Sequence, residues 1–323
     1  MIISRTPFRI SLAGGGTDLA EFYRGGSGAV VTTAIDKYMY ITVNRYFDDN
    51  IILKYRRTEL VPSVDKIRHP ILRECLRLTG ISKGIEITSM ADVVGGTGLG
   101  SSSSFTVGVL HALHAYRGEF CSQEQLAREA CEIEIGRLKE PIGKQDQYIA
   151  AYGGFQHLEF MPDESVRVDP LICPAGTMSR LAGRLAMVYS GVTRKAGPLL
   201  RRARAGFREN AAVLKRMREL AACARRELQR GQVDSLGAIL HEGWELKRSL
   251  AEGISNSAID EAYALARRHG ASGGKILGAG GGGFLLLFCP PAKRRAVLRA
   301  LPGWREIPFQ FEPEGSKIIY VCK

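Results

Sequence analysis

Between an alternating stretch, Ile85 to Val94, and an apolar helical run, Phe105 to Tyr116, the chain reads Gly95-Gly96-Thr97-Gly98-Leu99-Gly100-Ser101-Ser102-Ser103-Ser104. Four glycines in six positions leave the backbone free to turn its N–H groups inward and to approach a ligand without β-carbons in the way. The serines that follow open a helix, so their N–H groups lack intrahelical partners and carry the positive end of the helix dipole. Such a junction is an anion site, and the usual anion is phosphate. A flexible linker of the same composition would not stand between two strongly patterned apolar elements, so the stretch reads as a phosphate loop.

Three familiar phosphate signatures are absent or incomplete. No Gly-Lys-Ser/Thr closes a glycine run, which excludes a P-loop, and His-Arg-Asp and Asp-Phe-Gly are missing. A G-x-G-x-x-G does occur at Gly278 to Gly283, but Phe284 to Phe288 follows it as a short apolar run stopped by Pro290-Pro291. That is a buried strand, where a dinucleotide fold requires a helix and an acid about 20 residues on. A further glycine run, Gly14-Gly15-Gly16-Thr17-Asp18, ends a segment in which Phe8, Ile10 and Leu12 alternate as in a half-buried strand, with Arg9 on the opposite face. A tight turn with a carboxylate at its lip suits hydroxyl recognition; as a purely structural residue Asp18 would cap a helix. The third element is Ile142 to Gly154. Upstream, Gln123 to Lys139 has helical spacing and carries Glu134; Pro141 breaks it, and Asp146 opens a second helix, again as either a functional acid or a cap.

Together these elements resemble the GHMP kinases, the superfamily of galactokinase, homoserine kinase, mevalonate kinase and phosphomevalonate kinase. Pro7 to Asp18 resembles the family's first motif, Gly95 to Ser104 its nucleotide-phosphate loop, and Lys275 to Phe284 its third motif, in order and across nearly the whole chain. The resemblance implies ATP, cradled by Gly96, Gly98, Gly100, Ser101, Ser102 and Ser103. It also implies Mg²⁺ held by Ser102 and Glu134, Asp146 as the catalytic residue that takes the acceptor's proton as a base or orients its hydroxyl, and Arg9 as its basic neighbour. Gly15, Gly16, Thr17, Asp18, Gly280, Gly281 and Gly282 would contact the acceptor. Phosphoryl transfer is mostly positioning and charge stabilisation, so a base contributes modestly.

Departures narrow the expectation. Where galactokinase-like members carry Gly-Glu-His, Gly14-Gly15-Gly16 stands here. The form Gly-Gly-Gly-Thr-Asp, with Gly-Lys-Gln-Asp-Gln-Tyr at Gly143 to Tyr148, is similar to the arm of bacterial D-glycero-D-manno-heptose 7-phosphate kinases and fucokinase domains. Val94 replaces the proline usual before the phosphate loop. The expected reaction is phosphorylation of the anomeric hydroxyl of the heptose 7-phosphate, with fucose or N-acetylhexosamine 1-kinases as the alternative.

The 323 residues carry a net charge of +12, a surplus compatible with a phosphorylated sugar as partner. From Arg194 to Arg230 twelve Lys and Arg stand against three Glu. Nucleic acid is the distant alternative for this stretch, but no aromatic-interleaved patch accompanies it, so no nucleic-acid partner is expected. Most of these charges read as a solvated helical face, while Arg194 and Lys195, just after a strand at Leu185 to Tyr189, are expected to reach the substrate. No signal-peptide pattern or long apolar span appears, so no membrane association is expected. Seven scattered cysteines fit a reduced cytoplasm. His111 and His114 read as packing or surface residues without clustered ligands. The expected fold is α+β, and the resemblance to the GHMP kinases implies a ribosomal-protein-like ATP-binding domain over 1–180 and a ferredoxin-like domain with the third motif over 181–323. The oligomeric state stays open, a homo-oligomer included.

Overall fold

The apolar alternation that precedes the first two glycine loops becomes a strand, a short strand leads into the third, and each loop then sits at a sheet's end. In the computed structural model, which describes residues 1–193, 197–207 and 209–322, the first half runs β1 (Ile2–Ala13), α1 (Ala20–Tyr23), β2 (Gly28–Arg45), β3 (Ile51–Lys54), β4 (Thr58–Val61), α2 (Pro70–Thr79), β5 (Ile85–Ala91), α3 (Ser101–Arg117), α4 (Gln123–Cys131), α5 (Gln145–Tyr152), β6 (Phe155–Phe160) and β7 (Val166–Pro170). The second half runs α6 (Thr177–Arg184), β8 (Leu185–Tyr189), α7 (Gly197–Ala205), α8 (Ala211–Gln229), α9 (Ser235–Ser249), α10 (Ser257–Arg268), β9 (Gly273–Ile276), β10 (Phe284–Phe288), α11 (Pro291–Arg299), β11 (Arg305–Glu306) and β12 (Lys317–Val321).

Two sheets result. The first has the order β12-β1-β2-β5-β3-β4, with β6 also on β2 and β7 on β6. Strand β2 is long enough to serve two partners on one edge: Gly28 to Thr33 pairs with β6, and Met39 to Arg45 with β5. Helix α3 packs across β1 and β2, burying Val107, Val109, Leu110 and Leu113 against Phe8, Ile10 and Ile41. Each fully buried side chain of this kind contributes roughly 1.5–3 kcal/mol. The second sheet is antiparallel, in the order β11-β8-β10-β9. Taken in chain order those four strands stand 4-1-3-2 with helices after the first and third, the ferredoxin-like arrangement.

Three boundaries differ from the sequence reading. Strand β12 returns to the first sheet and pairs with β1, Ile2 against Val321, so the segment expected to belong wholly to the 181–323 unit ends inside the other sheet. The basic stretch is two helices, α7 and α8, broken around Gly206. The helical run from Gln123 widens to π-helix at Glu132–Arg137, a feature that often marks functional positions.

Part of the charge of that basic stretch is paired within the protein. Arg204 pairs with Glu21, Arg216 with Glu219 and Glu242, Arg225 with Asp169, and Arg218 donates to Ser27. No helix among the described residues is long and apolar enough to cross a membrane.

Candidate active site

A cavity of about 1040 Å³ opens between the two sheets. Three glycine segments and the start of α5 converge on it, because each sits where a strand or helix ends at the cleft. The loop after β5 closes at Gly100, in the left-handed region, and α3 begins immediately. Among the described residues, no protein carbonyl takes the N–H groups of Gly96, Gly98, Gly100 or Ser101 to Ser103. All six of these residues line the cavity, so the expected anion cradle has its donors available.

The third glycine turn, between β9 and β10, packs backbone to backbone on that loop. A β-carbon at Gly98 would lie 2.4 Å from the Leu277 carbonyl oxygen, and one at Gly278 would lie 2.5 Å from the Gly98 α-carbon. Phe284 N–H donates to the Thr97 carbonyl at 3.2 Å. Only glycine permits this approach, and it ties the two sheets together at the site.

Arg9 and Asp146, 137 residues apart in sequence, form a two-pronged pair: Nε donates to Oδ1 at 2.7 Å and an Nη to Oδ2 at 2.6 Å. The remaining guanidinium nitrogen donates to the Gly98 carbonyl at 2.6 Å, locking the pair to the phosphate loop. Gln145, itself held by Ser11, adds an amide hydrogen bond to Asp146 Oδ1 at 3.0 Å. A fork of this type fixes orientation as well as charge. Asp146 lies in the first turn of α5, whose cap is Lys144, so its carboxylate is free of a capping role and faces the cavity.

Asp18 does not cap the helix that follows it, α1, whose N-cap is Leu19. Its carboxylate accepts from Gly16 N–H at 3.0 Å and Gln145 N–H at 3.3 Å. Burial, reinforced by the nearby Asp146 charge, pushes its pKa up. Gly143 makes room for it: a β-carbon there would stand 2.0 Å from Asp18 Oδ2.

Glu134 is fully buried under α3. Ser102 Oγ contacts its Oε1, while Ser103 Oγ and Gln147 Nε2 donate to Oε2 at 2.8 and 2.7 Å. Burial raises its pKa despite these donors. The Gln147 amide oxygen beside it is buried without a partner. Among the described residues no cation pairs with this carboxylate; with the hydroxyl at its side and the orphaned amide oxygen it makes an all-oxygen set, which fits Mg²⁺ rather than a soft metal. Of these residues Ser102 lines the cavity, while Glu134 and Gln147 lie behind its wall.

Other expectations divide. Gly15, Gly16, Asp18, Gly280 and Gly282 line the cavity; Thr17 and Gly281 do not. Thr17 Oγ1 spends itself on the Gly14 and Ala29 carbonyls, and Gly281 N–H on the Ile254 carbonyl at 2.7 Å. Both therefore hold their turns rather than face the cavity. Arg194 and Lys195 fall outside the described residues. His114 is not a plain packing residue either. Its ring meets Glu129 at 2.7 Å and Glu119 at 3.1 Å, and Cys121 completes a group of three potential ligand atoms within 4.8 Å. Ser11, Gln145 and Lys275, which lie inside the quoted motifs, and Lys247, which does not, were given no site role from the sequence, yet all four line the cavity. Lys275 carried a signal, a lone charge between buried apolar positions just before a glycine turn.

Family models for the N-terminal and C-terminal domains of GHMP kinases match residues 66–154 and 224–304. A D-glycero-alpha-D-manno-heptose 7-phosphate kinase of Campylobacter jejuni is 30% identical over 98% of each chain. The chain belongs to the GHMP kinases. Among solved structures, a D-glycero-D-manno-heptose 1-phosphate kinase from Bacteriodes thetaiotaomicron superposes on this kinase with a TM-score of 0.82, covering all of both chains at 25% identity. The bifunctional fucokinase/GDP-fucose pyrophosphorylase of Arabidopsis thaliana is 31% identical over 71% of this kinase and 23% of its own length.

Proposed function

We propose that this GHMP kinase transfers the γ-phosphoryl group of ATP to the anomeric hydroxyl of D-glycero-α-D-manno-heptose 7-phosphate, giving the 1,7-bisphosphate used to make nucleotide-activated heptose. The observation that carries the reading is the Arg9–Asp146 fork bonded to the Gly98 carbonyl. It puts an oriented carboxylate beside a helix-opening anion cradle, as in-line transfer to a hydroxyl requires. The heptose comes from the full-length similarity to the Campylobacter kinase. The Bacteriodes relative is described as a heptose 1-phosphate kinase instead, and what the two relatives share is a phosphorylated heptose.

In this reading Gly96, Gly98, Gly100 and Ser101 to Ser103 hold the nucleotide phosphates through backbone N–H groups. Ser102 and Glu134 hold Mg²⁺, which when bound neutralises charge on the phosphates. Asp146 accepts the acceptor hydroxyl's proton or orients that hydroxyl, Arg9 keeps the carboxylate aimed, and Asp18 with Gly15 and Gly16 hydrogen-bonds the sugar. The basic Arg194 and Lys195 stand in the same segment as Thr193, a cavity residue, and are assigned to the 7-phosphate.

Coupled ADP release across heptose 7-phosphate, mannose, fucose, galactose and N-acetylhexosamines tests the assignment. Turnover confined to the heptose phosphate is expected. Preferred turnover of an unphosphorylated sugar would move the enzyme to the fucose or N-acetylhexosamine type.

A further inference from the structure

Arg9 is consumed by Asp146, yet a second cation reaches the same part of the cleft. Lys275 lies on β9, buried, and lines the cavity together with Arg9, Ser11 and Asp146. Its Nζ donates to the Leu12 carbonyl at 3.2 Å, across the junction between the two sheets. An ammonium carries three donors. Among the described residues no carboxylate lies within ion-pair distance of it. Burying a charge without a counter-ion is costly, and such a group either loses its proton or waits for a partner. Burial, with Arg9 nearby, holds the Lys275 pKa down at about 7.

The location says which partner. Two residues beyond Lys275, Leu277 presses its carbonyl against the phosphate loop at Gly98, while Leu12 leads into the turn that holds Asp18. Lys275 therefore stands between the nucleotide cradle and the acceptor turn. We infer that Lys275 is a catalytic residue whose ammonium contacts the γ-phosphoryl group of ATP as that group passes to the acceptor oxygen. The inference rests on the ATP-kinase reading above. In the step, the bond from the γ-phosphorus to the ADP oxygen breaks and its electron pair stays on ADP. The acceptor oxygen bonds the phosphorus, and the acceptor's proton goes to Asp146. Negative charge on the three equatorial oxygens meets Lys275 where no water competes. Because the free amine is partly deprotonated near neutrality, the anion's arrival draws a proton onto it.

Other charges face the same space and enter any pH analysis: Arg9 and Asp18 from the β1 side, Asp146 on α5, and Lys247 on α9, whose Nζ donates to the Ile276 carbonyl at 3.1 Å. Arg56, Glu140 and Arg201 stand on the exposed outer part of the cavity.

Calorimetric titration of the full-length protein at pH 8, in two buffers of different ionisation enthalpy, measures proton uptake with AMP-PNP·Mg²⁺ and with ADP·Mg²⁺. The wild-type protein should take up more protons with AMP-PNP than with ADP, since burial holds the free amine's pKa down and the γ-phosphoryl group would raise it. Lys275→Met should abolish that difference and lower kcat by roughly 10²-fold with little change in the acceptor KM. Lys275→Arg, charged at every pH, should also abolish the extra uptake while retaining more activity than the methionine variant. Equal uptake with both nucleotides in the wild-type protein would overturn the role of Lys275 alone, even if neither variant folds. Absence of any nucleotide binding would instead overturn the kinase reading, and the role of Lys275 with it.

Discussion

Two of the three glycine loops at the cleft, the one before α3 and the one between β9 and β10, share a composition and differ in how their N–H groups are used. In the loop from Gly95 to Gly100 the donors are left over, because the helix that follows cannot use the N–H groups of its own first turn. In the turn from Gly278 to Gly283 two donors are spent inside the protein, Gly281 on Ile254 and Gly283 on the Val192 carbonyl, with Phe284 on Thr97 just after, and the turn leads into a strand rather than a helix. The first is equipped to bind an anion, and the second to fasten the two sheets and to bring Lys275 to the cleft. A strand after the glycines, rather than a helix, makes the difference. Glycine-rich sequence thus licenses close backbone approach, and the element that follows decides whether a ligand or the protein makes it.

The sharpest way to break this comparison is at the carboxylate beside the first loop. Asp146→Asn should leave AMP-PNP affinity within about twofold while lowering kcat by roughly 10³-fold; an unchanged kcat would reduce Asp146 to an anchor for Arg9. Next comes the contact between the loops. Gly98→Ala places a methyl group 2.4 Å from a carbonyl at φ +91° and should cost about 3 kcal/mol in denaturant unfolding. Gly118→Ala, at φ +78° with nothing within 4 Å, should cost about 1 kcal/mol. Equal losses would mean that the loops part without penalty.

Ser102→Ala should raise the Mg²⁺ concentration for half-maximal activity by about tenfold, read from a metal titration. No change would remove the hydroxyl from the metal's neighbourhood. The smallest effect lies away from both loops, at His114. Hydrogen bonds to Cys121 and Glu129 raise its pKa from 6.5 to about 10. The folded state thus holds a proton that the unfolded state releases above pH 6.5. The stabilisation is complete below that pH and fades as pH rises toward 10. Thermal unfolding from pH 6 to 10 should fall less steeply for His114→Gln than for the wild-type protein; parallel curves would show that His114 titrates normally.

Much of this was legible in the chain. The strand at Leu185 to Tyr189 and the helix opening at Ser101 follow from local periodicity and from glycine's lack of a side chain, properties that act over a few residues. The break in the basic helices around Gly206 was not legible, because Arg and Leu on either side suit one long helix as well as two. The π-helical widening at Glu134 likewise depends on what α3 presents to it.

The sequence by itself determined which segments would be strands, helices and anion-binding turns, since backbone freedom and apolar spacing are local. Only the tertiary structure decided that the Arg9–Asp146 pair would be tied to the Gly98 carbonyl, that β12 would return to β1, that Thr17 and Gly281 would support turns rather than face the cavity, and that Lys275 would be buried beside the site with no counter-ion among the described residues. Those outcomes depend on which chain segments exclude water from one another, and no stretch of sequence carries that information alone.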